Sequence, residues 1–124
     1  MTGFVRDFLR RFVETAVAGD HARHMAMISR KVRVFGVPGF EAIGYDDWNR
    51  QGAHEFAESV LKRIAFADVT VKMETGRLIA FEAVEVVEAK DGSVNRNRVE
   101  IFLEEEEDGQ WRLVQEKILE PKNN

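Results

Sequence analysis

The period of the apolar positions changes along the chain. Phe4, Phe8, Phe12 and Ala16, flanked by Val5, Leu9, Val13 and Val17, recur every four residues and predict an amphipathic helix of about four turns. Gly19 suits the position just past that helix. Asp20 suits the N-cap of a second, short helix that begins at His21 and buries Ala22, Met25 and Ile28. From Lys31 to Phe35 the period drops to two, predicting a strand that Gly36 and Pro38 interrupt. A third helix is expected from near Asp46, capped by Asp46 or Asp47, to about Lys62. Its apolar face carries Trp48, Gly52, Phe56 and Val60, joined by Ala53, Ala57 and Leu61.

After Ile64, strand-like runs take over: Phe66 to Glu74, Arg77 to Ala89, Val94 to Glu105 and Trp111 to Leu119. Thr75-Gly76, Asp91-Gly92 and Asp108-Gly109 separate them, and Asp-Gly between alternating runs is a strong hairpin signal. The order ααβαββββ describes an α+β domain: a curved antiparallel sheet wrapped around a long helix, with a concave apolar space between them. At 124 residues and 44% apolar content, the chain suffices for one such domain over residues 1–124 and is short for two.

Eighteen basic against 22 acidic residues give a net charge of -4, which offers no basic field for nucleic acid. The absence of cysteine removes disulfides, thiolate metal sites and cysteine nucleophiles together. At the N-terminus, Arg6, Asp7, Arg10 and Arg11 break the apolar run too often for a signal-peptide core or a membrane span. A cytoplasmic protein that engages neither membrane nor nucleic acid is expected.

The helix, Ala-Gly-Asp corner and second helix in "FVETAVAGDHARHMAMI", the strand "VRVFGVPG", Gly44 before the third helix and the closing "DGQWRLVQEKI" resemble the NTF2-like superfamily. This is the cone-shaped fold of nuclear transport factor 2, ketosteroid isomerase and SnoaL-like polyketide cyclases, and the resemblance runs from about Phe4 to Glu120. It implies a cone. It does not fix a function, because the same cone hosts enzymes and non-catalytic binding or dimerisation modules.

Ketosteroid isomerases use a carboxylate base with a tyrosine and a protonated aspartate as donors. Aligned without gaps on Ala18-Gly19-Asp20, the resemblance puts the base at Gly36, the tyrosine at Phe12, and the second donor at or beside Ile101, next to Glu100. Glycine takes no proton and phenylalanine donates none, so that chemistry is not expected. Arg98-Val99-Glu100 resembles the Arg-x-Asp of limonene epoxide hydrolase-like members, for which the second acid would be Glu116. Val99, Ile101 and Leu103 are better suited to line the interior, which turns Arg98 and Glu100 into a charge pattern on the outer face.

On the last strand Trp111, Leu113, Gln115, Lys117 and Leu119 alternate with Arg112, Val114, Glu116 and Ile118. The resemblance implies that Gln115 and Lys117 face the cavity, where a desolvated lysine would have a lowered pKa. Lys117, Arg98 and Glu100 are the catalytic candidates, and Phe8, Phe12, Val34, Gly36, Trp48, Phe56, Ile101, Gln115 and Lys117 the ligand-binding set. His21, His24 and His54 lack a third ligand at a diagnostic spacing, so neither metal nor cofactor is expected. The acidic run Glu104 to Asp108 reads as a solvated turn. The expectation is a cavity that binds a small apolar molecule, with SnoaL-like or isomerase-like activity lacking the usual Asp and Tyr. The alternatives are a non-catalytic dimeric interaction module and an epoxide hydrolase-like or lyase-type acid-base enzyme. A homodimer through the sheet is expected from the resemblance.

Overall fold

A computed structural model describes residues 2–58 and 60–119, apart from the side chains of Thr2, Phe56 and Ala57. The elements are α1 (Thr2–Ala18), α2 (His21–Ala26), β1 (Ile28–Phe35), α3 (Tyr45–Glu58), β2 (Leu61–Glu74), β3 (Leu78–Ala89), β4 (Val94–Glu105) and β5 (Trp111–Ile118). Gly19 closes α1 at φ 70°, and the Asp20 carboxylate accepts the Arg23 amide at 3.2 Å to open α2. Two boundaries differ from the sequence reading. Ile28 already belongs to β1, so α2 ends at Ala26. Likewise Leu61 belongs to β2, not to α3, because it pairs with Ala89 across the β2–β3 ladder. In both places an apolar residue that fits a helical stripe is buried better against a neighbouring strand.

The five strands form one curved sheet in the order β1-β5-β4-β3-β2. β2 to β5 form an antiparallel meander, and β1 joins β5 in parallel. Val34 and Ile43 exchange backbone bonds of 2.8 and 2.9 Å, so the loop after β1 folds back and covers part of that edge. α1 lies over the inner face. Val5, Phe8, Leu9 and Phe12 of α1 form one core with Ile79, Phe81, Val99, Ile101, Leu103 and Leu113 of the sheet. No helix among the described residues is long and apolar enough to cross a membrane.

The acidic run at the β4–β5 turn pins this hairpin to the rest of the fold. Arg112 donates to both carboxylate oxygens of Asp108 (3.0 and 2.8 Å), to Glu106 (3.1 Å) and to the Ala26 carbonyl at the end of α2 (3.0 Å). The buried Ser29 hydroxyl of β1 donates to Glu106 at 2.8 Å. Charge-assisted, bidentate bonds with a partly shielded guanidinium are the strong kind, unlike the exposed Arg10–Asp7 pair on α1. Arg112→Ala is therefore expected to cost about 1–3 kcal/mol in urea unfolding, while Arg10→Ala leaves the midpoint in place. Equal midpoints for the two variants would contradict this role.

Candidate functional site

Register assigns the faces of the sheet. Val71, Phe81, Ile101, Glu116 and Val34 pair in succession across β2, β3, β4, β5 and β1, forming one row that spans the inner face. Four members are apolar and one is a carboxylate. Two rows along, Glu85 sits between Phe66 of β2 and Asn97 of β4 on the same face. Glu116 is 7% exposed and Glu85 half-buried. Among the described residues, neither has a hydrogen-bond or ion-pair partner.

Burial without a compensating cation penalises the charged form. It pushes Glu85 from the ordinary 4.5 up to about 7. Glu116 is pushed up to about 8, first by burial and then by the charge of Glu85. The two share a field, so their protons leave as a coupled set, and near neutrality the pair holds a proton. Such a pair combines an acid with a potential base on one face of the sheet.

An aromatic cluster packs over the same face, and its Phe66 is the cross-strand partner of Glu85. Phe12 of α1 meets Phe8, Trp48 and Phe66 at centroid distances of 6.4, 6.5 and 6.1 Å, and the His24 ring at 4.4 Å. His24 is buried and its pKa is lowered to about 4, chiefly by burial and then by His21, against a bond with the Phe12 backbone. Thr15 Oγ1 lies 2.9 Å from His24 Nδ1 and 2.9 Å from the Arg11 carbonyl. Thr15 Oγ1 thereby ties the His24 ring to the backbone of α1, and burial keeps that ring neutral. His21 Nε2 donates to Asn49 Oδ1 at 2.7 Å, tying α2 to α3. These histidines brace the helical corner, and His54 is exposed. Among the described residues, no cluster of three His, Asp or Glu side chains is arranged to hold a metal.

Gln115 and Lys117 do not face the cavity as expected. They pair with Phe102 and Glu100 and stand on the outer face. The cause is a bulge: Leu103 pairs with Leu113 and Phe102 with Gln115, so β5 inserts Val114 and its alternation reverses beyond that point. Glu116 thereby turns inward. Arg98 is on the outer face as well, 3.5 Å from Glu82, with Glu100 between Glu82 and Lys117. Phe8, Phe12, Val34 and Ile101 are buried in the core and Trp48 is half-buried against Phe12. The Phe56 side chain lies outside the described residues.

Gly36, where the isomerase resemblance puts a base, ends β1 at φ 90°, and a Cβ there would run into the Ile118 carbonyl oxygen. No side chain fits, so the missing carboxylate is a backbone requirement. The other isomerase position, Ile101, faces Glu116 directly across the ladder. An acid is thus present one strand away from where the resemblance implies one. The sequence marked Glu116 only as the second acid of an epoxide hydrolase-like set, and strict alternation put it on the face opposite Gln115 and Lys117.

Two outcomes are expected. Gly36→Ala lowers stability by about 2 kcal/mol or more, whereas Gly76→Ala, which meets nothing within 4 Å, is near neutral; equal costs by urea titration refute the clash. The second concerns pH. Because Glu85 and Glu116 are raised by folding, the stability they lend is complete below 4.5 and is lost as pH rises through about 7 and about 8. Because His24 is lowered, its contribution is complete above 6.5 and is lost as pH falls towards about 4. Glu116→Gln should flatten the alkaline limb of a stability–pH curve and spare the acid limb. Superposable curves for the variant and the parent would contradict the burial of Glu116 as an acid.

The SnoaL-like domain family matches residues 5–118. No curated protein matches the chain. Among solved structures, an NTF2-like protein of unknown function from Pseudomonas putida is similar at 15% identity, TM-score 0.76, covering 98% of this chain and 87% of that one. Another of unknown function, from Shewanella oneidensis, gives 13% identity and TM-score 0.78 over 94% and 97%. A candidate scytalone dehydratase from Novosphingobium aromaticivorans gives 9% identity and TM-score 0.70 over 92% and 79%. These structures share the fold with this chain, and the family match over nearly its whole length shows that it belongs to the SnoaL-like family, on the NTF2-like cone.

Proposed function

We propose that this protein catalyses proton transfer, of the isomerase or dehydratase type, on a small neutral apolar molecule held against Phe12, Trp48 and Phe66. The observation that carries the proposal is the Glu85–Glu116 pair, two uncompensated carboxylates on the inner face of the sheet. The protonated member donates to a carbonyl or hydroxyl oxygen of the substrate, and the ionised member accepts a proton from carbon. In an isomerisation the enol so formed returns its oxygen proton to the first carboxylate while the second gives its proton to the more distant carbon, leaving the shifted double bond. In a dehydration the protonated hydroxyl leaves as water as the C–H proton is taken, leaving the alkene, with no other reactant needed. The fold shared with a candidate scytalone dehydratase is compatible with this class. Among neutral enones and β-hydroxy ketones, a turned-over compound should lose about 10²- to 10⁴-fold in kcat with Glu116→Gln. Undiminished turnover in that variant rules out the assignment.

We also propose that two copies meet through the outer sheet face, as the family resemblance implies. In support, that face carries Val84 and Phe102 beside the Arg98–Glu82 pair, Glu100 and Lys117, a mixed patch that can complement itself across a two-fold axis. Light scattering should report twice the chain mass, and Phe102→Asp should halve it; a single-chain mass for the unmodified protein defeats the dimer.

A further inference from the structure

We infer that the groove between α1 and the edge strand β2 is the binding port for a neutral, apolar small molecule, and that Phe66 is the residue dividing that port from Glu85. The groove encloses about 710 Å³, the size of a small-molecule site. Its apolar walls are Leu9 and Val13 from α1 and Ile64, Phe66 and Val69 from β2. Val13, Phe66 and Val69 are half-buried, each touching the core while part of its surface faces the groove.

The gap has a backbone cause. The β2–β3 ladder shifts register between Ala67 and Thr70, and Asp68 at that shift has φ 55°. A residue with a Cβ rarely adopts this conformation, and a bulge bends the strand that contains it. The edge strand therefore departs from a regular ladder at the rim of the groove.

Charge selects the occupant. Arg6, Arg10, Glu14 and Asp68 line the rim, two of each sign, and Arg10 is bonded to Asp7 at 3.2 Å. The rim charges balance, so an ion of either sign gains no net field from them in return for the hydration it loses against the apolar walls, whereas a neutral apolar molecule loses no such hydration. Phe66 belongs to both spaces: it lines the groove, stacks edge-on to Phe12 at 6.1 Å, and is the cross-strand partner of Glu85. The link from port to chemistry rests on the acid-base reading above; the port itself does not.

The test titrates the neutral fluorophore N-phenyl-1-naphthylamine, and its sulfonated analogue 8-anilinonaphthalene-1-sulfonate, into the full chain. Val13→Trp and, separately, Val69→Trp fill the groove from opposite walls, and Phe40→Trp adds the same ring at an exposed position outside it. Each wall variant that keeps the parent circular dichroism should bind the neutral dye at least about tenfold more weakly, with Phe40→Trp unchanged. Unchanged affinity in both folded wall variants overturns the port, and tighter binding of the sulfonate than of the neutral dye overturns the ligand class. Turnover by Glu116→Gln separates the two proposals. If the wall variants lose the dye while Glu116→Gln turns substrate over normally, the port stands and the acid-base reading falls.

Discussion

One inserted residue, Val114, sets the chemistry of the interior. Before it, β5 points Leu113 inward against Leu103; after it, Glu116 and Ile118 turn inward against Ile101 and Val99. A one-residue offset exchanges the faces of everything downstream. Without it Gln115 and Lys117 would face α1, and Glu116 would lie outside beside the already acidic row of Glu82 and Glu100. With it, Lys117 is set beside Glu100, and the interior receives a carboxylate and no cation.

That arrangement is poor for stability. A carboxylate taken out of water without a partner is disfavoured by several kcal/mol if it stays ionised, and the cheaper course is to keep its proton. An apolar side chain at position 116 would complete the row of Val71, Phe81, Ile101 and Val34 at no such cost. Departures from local consistency of this kind concentrate where a protein does chemistry. By contrast, the histidines carry bonds that make structural sense: burial keeps His24 neutral beside the Thr15 hydroxyl, and His21 reaches across to α3. The same distinction separates the acidic turn, whose carboxylates find Arg112 and Ser29, from the inner pair, which have no hydrogen-bond or ion-pair partner among the described residues.

Much of the architecture was legible in the sequence because local signals and tertiary packing agree. The four-residue stripe of Phe4, Phe8 and Phe12 made α1, and the Asp91-Gly92 and Asp108-Gly109 pairs fixed hairpins whose glycines adopt φ 91° and 79°. Boundaries slipped where an apolar residue satisfies either element, as at Ile28 and Leu61. The site was less legible. Strict alternation carried across β5 assigns Gln115 and Lys117 to the inside, and nothing in "WRLVQEKI" announces a bulge, which depends on the ladder with β4. Glu85 gave no signal, since its neighbours Val84 and Val86 suggest a polar position on an ordinary amphipathic strand, and its place beside Phe66 depends on the ladder with β2. The empty position at Gly36 was visible, but its cause, the Ile118 carbonyl, is a contact between strands far apart in the chain.

The central claim is that Glu116 faces inward and keeps its proton near neutrality because burial disfavours its charge and Glu85 on the same face adds to that. Carbon-13 titration of the side-chain carboxyl signals, assigned by comparison with Glu116→Gln and Glu85→Gln, reads this directly. The account predicts midpoints well above the ordinary 4.5 for both residues, and a fall in the Glu116 midpoint when Glu85 is replaced. A Glu116 signal that titrates in the ordinary carboxylate range, unmoved by loss of Glu85, would contradict it.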